Sequence, residues 1–236
     1  MTLRLEQTDP LAANFRRVIQ TGDVAALRAL LADQPDLATA RIIGRRGGWR
    51  TGLHIVADWP GFFPNGPEIV EVLVAAGADV DARNQEGGGE TPLHWAASSD
   101  DADVAQALVD NGADLEAPNG SIGTPLDNAI GYACWQVASV LVRAGARVER
   151  LWQAAALGML PRLHELLEDA SPAHVNQAFW HACAGGQRRT AEVLLERGAD
   201  INFVPEYSKD KPLAAATSVE TRRKTLADWL REHGAG

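Results

Sequence analysis

The stretch Gly89-Glu90-Thr91-Pro92-Leu93-His94-Trp95-Ala96-Ala97 decides how the rest of the chain is read. It has the chemistry of a helix start. Thr91 can cap the helix, its hydroxyl accepting from a free backbone N–H of the first turn. Pro92 follows at the first helical position, where a missing N–H removes nothing the helix uses. Leu93, Ala96 and Ala97 then share one face at helical spacing. Related signals stand at Thr51-Gly52-Leu53-His54, Thr124-Pro125-Leu126-Asp127 and Lys211-Pro212-Leu213-Ala214. Each is followed about twenty residues later by an apolar run ending in Gly-Ala or a close variant.

This recurrence resembles the ankyrin repeat, in which each unit buries its apolar face only against its neighbours. The resemblance implies an all-α fold, an ankyrin-repeat solenoid of about seven helix pairs with short β-hairpin connections. It covers residues 1–236 as a single domain. An N-terminal cap unit spans 9–47. Internal units span 48–87, 88–120, 121–148, 149–176 and 177–207, and a C-terminal cap unit spans 208–236. The third unit matches best. In the second, Leu53 to Gly77 is 24 positions, against 19 from Leu93 to Gly112. The five extra residues lie within Asp58-Trp59-Pro60-Gly61-Phe62-Phe63-Pro64-Asn65-Gly66, an aromatic stretch where a regular unit has a short turn. The fifth is degenerate: Gly145 to Ala170 is 25 positions, against 33 from Gly112 to Gly145, so a shortened or missing hairpin precedes it. Arg16, Arg17 and Arg28 at one end suit a wet outer face, as do Arg222, Arg223 and Lys224 at the other.

Composition narrows the partners. The net charge of −9 argues against broad binding to nucleic acid or anionic lipid. Arg45, Arg46 and Arg50 are locally basic and read either as an anion-binding finger or as a solvated loop tip. Loop mobility favours the tip. Cys134 and Cys183 are too few for a disulfide framework and read as buried thiols in a reducing compartment. The N-terminus lacks a signal peptide's apolar core, and no apolar stretch reaches membrane-spanning length. A cytoplasmic protein without a membrane partner is expected. Basic residues are mostly arginine, which hints at a GC-rich bacterial genome.

No stretch announces chemistry. Gly87-Gly88-Gly89 lacks the Lys-Ser/Thr of a phosphate loop and reads as a hairpin tip. His181 and Cys183 are two apart on a helix and face different ways, and His174 completes no zinc spacing. His164 stands alone. No metal and no cofactor are expected.

The resemblance assigns the histidines of the motif, His54 and His94, a structural hydrogen bond with the motif threonine. Trp152 takes the equivalent slot in the fifth unit, and Trp135 and Trp180 fall on core or stacking positions. The resemblance also implies a concave groove lined by the first helix of each pair. Its positions here are Ile55, Asp58 and Trp59; Trp95, Ser98 and Ser99; Asn128, Gly131 and Tyr132; Gln153, Ala156 and Leu157; and His181, Ala184 and Gly185. Phe62 and Phe63 either rim this groove or fold back to seal the second unit. The leading function is a non-catalytic module that binds a protein or peptide partner in its aromatic-lined groove. The alternative is a small apolar ligand near Trp59, Trp95 and Tyr132, or an atypical enzyme using Asp58, Asp127 and His181. A purely structural scaffold would leave the groove bland, and its aromatics count against that.

Overall fold

Asp9 accepts from the Leu11 N–H at 2.8 Å and is followed by Pro10, so the first helix begins with the cap and proline of the repeated motif. The structure is a computed structural model and describes residues 2–85, 89–217 and 224–236. The expectations placed on Gly87, Gly88, Arg222, Arg223 and the Lys224 side chain lie outside the described residues. The chain divides into two compact units, Met1–Ala146 and Arg147–Gly236.

The first unit holds four helix pairs: α1 (Pro10–Gln20) with α2 (Val24–Asp33), α3 (Gly52–Ala57) with α4 (Gly66–Ala75), α5 (Pro92–Ser99) with α6 (Ala102–Asp110), and α7 (Pro125–Gly131) with α8 (Trp135–Arg143). The first helices pack in series, α1 on α3 on α5 on α7, and the second helices form a parallel layer, α2 on α4 on α6 on α8. Leu53, Leu93 and Leu126, each two residues past the capping threonine, are fully buried between the layers, as are Leu73, Leu108 and Leu141 opposite them. Gly52 stands where the other motifs have proline, because a Cβ there would lie 2.8 Å from the Phe15 ring. The helices α4, α6 and α8 end alike. Gly112 adopts φ +87°, and Ala113 N–H then reaches back to the Leu108 carbonyl at 3.1 Å, which tucks Ala113 into the core. The positive φ explains the glycine, and the buried methyl explains the alanine.

Three strands flank these helices. β1 (Arg4–Glu6) runs parallel to β2 (Arg41–Ile43), which pairs antiparallel with β3 (Trp49–Arg50), so that Leu5 faces Ile42 and Ile43 faces Trp49. The hairpin expected at every joint forms a strand ladder only here among the described residues. Later joints keep single bonds of the same kind, Asn84 N–H to Glu90 O at 3.0 Å and Gly120 N–H to Gly123 O at 2.7 Å.

The second unit holds three pairs: α9 (Leu151–Leu157) with α10 (Leu160–Leu167), α11 (Pro172–Ala184) with α12 (Arg188–Glu196), and α13 (Pro212–Thr217) with α14 (Lys224–Glu232). The 13-residue α11 is its spine, packing on α9, α12 and α13. Phe179, Ala182, Leu194, Trp229 and Leu230 are among its core residues.

Candidate functional site

Buried imidazoles join successive repeats. The His54 Nε2 lies 3.0 Å from the Glu90 carbonyl, which can only accept, so Nε2 carries the hydrogen. Nδ1 is therefore bare and accepts from the Thr51 N–H at 3.3 Å, with the Thr51 hydroxyl 2.9 Å away. His94 repeats the arrangement, with Nε2 3.1 Å from the Gly123 carbonyl and Nδ1 accepting from Thr91 N–H at 3.1 Å. Glu90 and Gly123 each precede the capping threonine of the next repeat, so each histidine pins two helix starts together. Burial lowers the pKa of both, that of His54 to about 4. A proton on Nδ1 would face the threonine N–H donor. At Asp127 the carboxylate keeps the local part of this bond, accepting from Thr124 N–H at 2.9 Å.

Beside this relay lies a polar and aromatic face. Arg50 pairs with Asp58 at 2.8 Å, and its guanidinium lies 5.9 Å from the centre of the Trp95 ring. Trp95 also meets His54 edge-to-face at 5.1 Å and remains half-buried. Ser99 donates to the Ala57 and Trp95 carbonyls, each at 3.0 Å, and Ser98 donates to the His94 carbonyl at 2.9 Å. Tyr132 is exposed, and its hydroxyl donates to Ser121 at 3.1 Å. Trp59, next in the chain after Asp58, is 78% exposed.

Two of the groove residues expected in the first unit do not line it. All of α3 is buried between α1 and α5, so Ile55 belongs to the core. Asn128 is buried too, its Oδ1 accepting from Ile122 N–H at 3.0 Å and its Nδ2 donating to Glu90 at 3.1 Å. Its polar atoms are engaged in holding the loop before α7. Arg50, read from sequence with Arg45 and Arg46, turns instead to Asp58 and Trp95.

The inserted stretch is held at both ends. The Phe62 N–H donates to Asp101 at 2.6 Å, and a Cβ on Gly61 would lie 3.2 Å from Ser99. At the other end Asn65 donates to the Gly22 carbonyl at 2.9 Å. Pro64 sits so close to Gly22 that a side chain there would overlap it. The insertion thus ties the first helix pair to the third. Phe63 is half-buried, whereas Phe62 stays 62% exposed, so Phe62 seals nothing.

The second unit arranges the same slots differently. Phe179-Trp180-His181-Ala182-Cys183 aligns with Leu93-His94-Trp95-Ala96-Ala97 by its buried positions. Trp180 therefore occupies the relay slot, and its Nε1–H donates to the Asp210 carbonyl at 2.8 Å, one residue before Lys211-Pro212. His181 takes the slot of Trp95 but is buried. Its Nε2 meets the Tyr207 hydroxyl at 2.9 Å, and Gln177 donates to that hydroxyl at 3.3 Å. The hydroxyl proton is then directed at Nε2. Trp152 stacks on the His181 ring at 4.7 Å, and burial lowers the His181 pKa to about 4. The motif-histidine slot of α9 belongs to Gln153, not Trp152: its Oε1 accepts from Glu149 and Arg150 N–H at 2.9 and 2.8 Å. Gln153 is therefore buried and spent on its own helix start, and Leu157 of that set remains half-buried. Gly185 permits close packing, since a Cβ there would meet the Ala156 carbonyl.

The three side chains named for an enzymatic alternative are each engaged locally: Asp58 with Arg50, Asp127 with the α7 start, His181 with Tyr207. Burial raises both thiols, Cys134 to about 11 and Cys183 further, so neither is a ready nucleophile. Among the described residues no helix is long and apolar enough to cross a membrane.

A model of the ankyrin repeat family matches residues 53–150, as three copies. Among curated proteins, the chain is 32% identical over 126 residues to the nuclear factor NF-kappa-B p105 subunit of Gallus gallus. It is 30% identical over 169 residues to an ankyrin repeat and KH domain-containing protein of Caenorhabditis briggsae. These matches cover 53% and 71% of this chain but only 12% and 5% of the relatives. Both relatives are animal proteins and lend nothing to a bacterial origin. The crystal structure of the human ASB11 ankyrin repeat domain covers 79% of this chain and 85% of its own, at 23% identity and a TM-score of 0.46. Residues 53–150 of the chain carry ankyrin repeats.

Proposed function

We propose that the protein is a non-catalytic interaction module that holds a protein or peptide against the face of Trp59, Trp95 and Tyr132 in its first unit. Ankyrin repeats mediate contacts between proteins, and that general role is the starting point. The observation that carries the reading is Trp59, 78% exposed, next to the Asp58–Arg50 pair that reaches Trp95. Folding gains nothing from leaving an indole in water, whereas a partner that covers it gains a large apolar area at small entropic cost. Ser98, Ser99, Phe62 and the Arg50–Asp58 pair surround the aromatics with polar groups and one further apolar anchor. The reading includes a cytoplasmic setting, supported by two buried free thiols, and neither nucleic acid nor membrane as partner, supported by the net charge of −9.

The test is to select peptides on the folded protein from a random library and to measure affinity and melting for the wild type, Trp59→Ala and Trp95→Ala. We expect Trp95→Ala to weaken selected peptides by about 2 kcal/mol or more. Melting should change far less. Unchanged affinity in both variants removes this face from consideration.

A further inference from the structure

The chain is acidic overall, but its charge is unevenly spread. Residues 1–50 hold eight arginines against five acids, and the remainder holds fourteen basic against twenty-six acidic residues. Several of those eight arginines are engaged: Arg41 over the Trp49 ring at 4.1 Å, Arg50 on Asp58 at 2.8 Å, Arg28 on Glu68 at 3.4 Å and Arg17 on Asn14 at 2.8 Å. Arg16, Arg45 and Arg46 make no hydrogen bond or ion pair among the described residues, and all three line one cavity of about 740 Å³. Gln7, Thr8 and Gln85 complete its polar wall.

The fold builds this convergence from three separate parts of the chain. The parallel pairing of β1 on β2 continues with Gln7 N–H donating to Ile43 O at 2.9 Å, which brings Gln7 and Thr8 beside the β2–β3 turn. That turn closes with Gly47 at φ +81°, its N–H donating to Gly44 O at 3.0 Å, and so presents Arg45 and Arg46 at the tip. Arg16 projects from α1 and is half-buried. Three guanidiniums gathered without a carboxylate repel one another, and each keeps a planar fork of unused donors. No acidic residue among the described ones lines the cavity.

We infer that this cavity binds a phosphate monoester. A single carboxylate has two oxygens to share among three forks, whereas a phosphate brings three oxygens and a charge near −2. The volume falls in the range of small-molecule pockets and admits either a free phosphorylated compound or a phosphorylated side chain of a peptide. The site is separate from the Trp59 and Trp95 face and stands or falls without it.

The experiment is a titration of the full chain at constant ionic strength, set by sodium chloride. Its probes are inorganic phosphate, a glycine-flanked phosphoserine peptide and the same peptide unphosphorylated. Phosphate and the phosphopeptide should bind saturably below about 10 mM, and the plain peptide should not bind. Tighter binding of the phosphopeptide than of phosphate marks a peptide ligand, and equal binding marks a free phosphorylated compound. Arg16→Gln should weaken both probes about tenfold or more. If Arg16→Gln does not fold, the exposed double variant Arg45→Gln, Arg46→Gln carries the test with the same expectation. Absence of saturation, equal displacement by chloride or unchanged affinity in these variants overturns the inference. Glu86 follows Gln85 in the chain and lies outside the described residues. If only Glu86→Gln binds phosphate, the cavity is closed by the chain itself and the inference falls.

Discussion

His94-Trp95 in the first unit and Trp180-His181 in the second are the same two slots with their residues exchanged. In the first, an imidazole sits in the relay slot and an indole on the face. In the second, the indole N–H spans to the next helix start, and the imidazole lies buried under Tyr207. Both solutions satisfy a backbone carbonyl just ahead of the following cap. At these two positions the bond to the next repeat comes from a ring N–H, of imidazole in one and indole in the other, whereas Asp127 and Gln153 in the same slot accept from their own helix start. What differs is the other end of the ring. The bare Nδ1 of histidine also serves its own threonine cap, a second bond that indole cannot make.

The largest expected effect tests whether all these imidazoles stay neutral. Burial holds His54 and His181 at about 4, against 6.5 in the unfolded chain. The folded protein therefore refuses a proton that the unfolded chain accepts. Its stability is full above pH 6.5 and falls as pH drops from 6.5 towards 4, by up to about 3 kcal/mol for each residue. Denaturant melts at stepped pH, with imidazole titration by NMR, measure this. His54 titrating near 6.5 would break the likeness between the two units.

Next in size is the relay bond itself. His54→Ala or His94→Ala should cost about 1–3 kcal/mol of stability, because two backbone partners lose their bond in a buried site. Peptide binding should survive wherever the variant stays folded. Loss of binding at unchanged melting would move these histidines from the scaffold to the site.

Smaller effects sharpen the contrast within the second unit. Trp180→Phe keeps an aromatic side chain, smaller than indole, but removes the N–H that reaches Asp210, and Tyr207→Phe removes the hydroxyl that meets His181. Each should cost about 1 kcal/mol, the usual net worth of one hydrogen bond. A neutral Trp180→Phe would mean that the indole only packs. The smallest effect is expected on the face: Trp59→Ala should change stability by less than about 0.5 kcal/mol, as exposed substitutions do. A large fall in melting would instead assign Trp59 to holding the insertion in place.

The helix starts were legible because capping is local. Thr51, Thr91 and Thr124 act within three residues of themselves, and Pro92 and Pro125 restrict only their own turn. The burial of Leu53, Leu93 and Leu126 followed from the same spacing. Expectations failed where the partner of a side chain comes from another repeat. Asn128 looked free on its helix and is spent on Ile122 and Glu90. Ile55 looked like a face residue until α1 and α5 closed over it. In α9 no threonine marks the cap, so the slot was read one residue early, at Trp152 instead of Gln153. Nothing near Trp180 announces the Asp210 carbonyl thirty residues on, although its alignment with His94 through Phe179, Ala182 and Cys183 is a usable signal.

Repeat spacing, cap chemistry and glycine positions are properties of a few consecutive residues, so the sequence by itself determined the ankyrin class, the seven helix pairs and the place of the insertion. Tertiary structure alone decided which polar groups are consumed in joining repeats and which remain for a partner. It set Gln7 and Thr8 beside Arg45 and Arg46 through a parallel strand that no local pattern marked, and it separated Arg50 from them by offering it Asp58. Such outcomes depend on distances between residues far apart in the chain, and those distances exist only once the layers have packed.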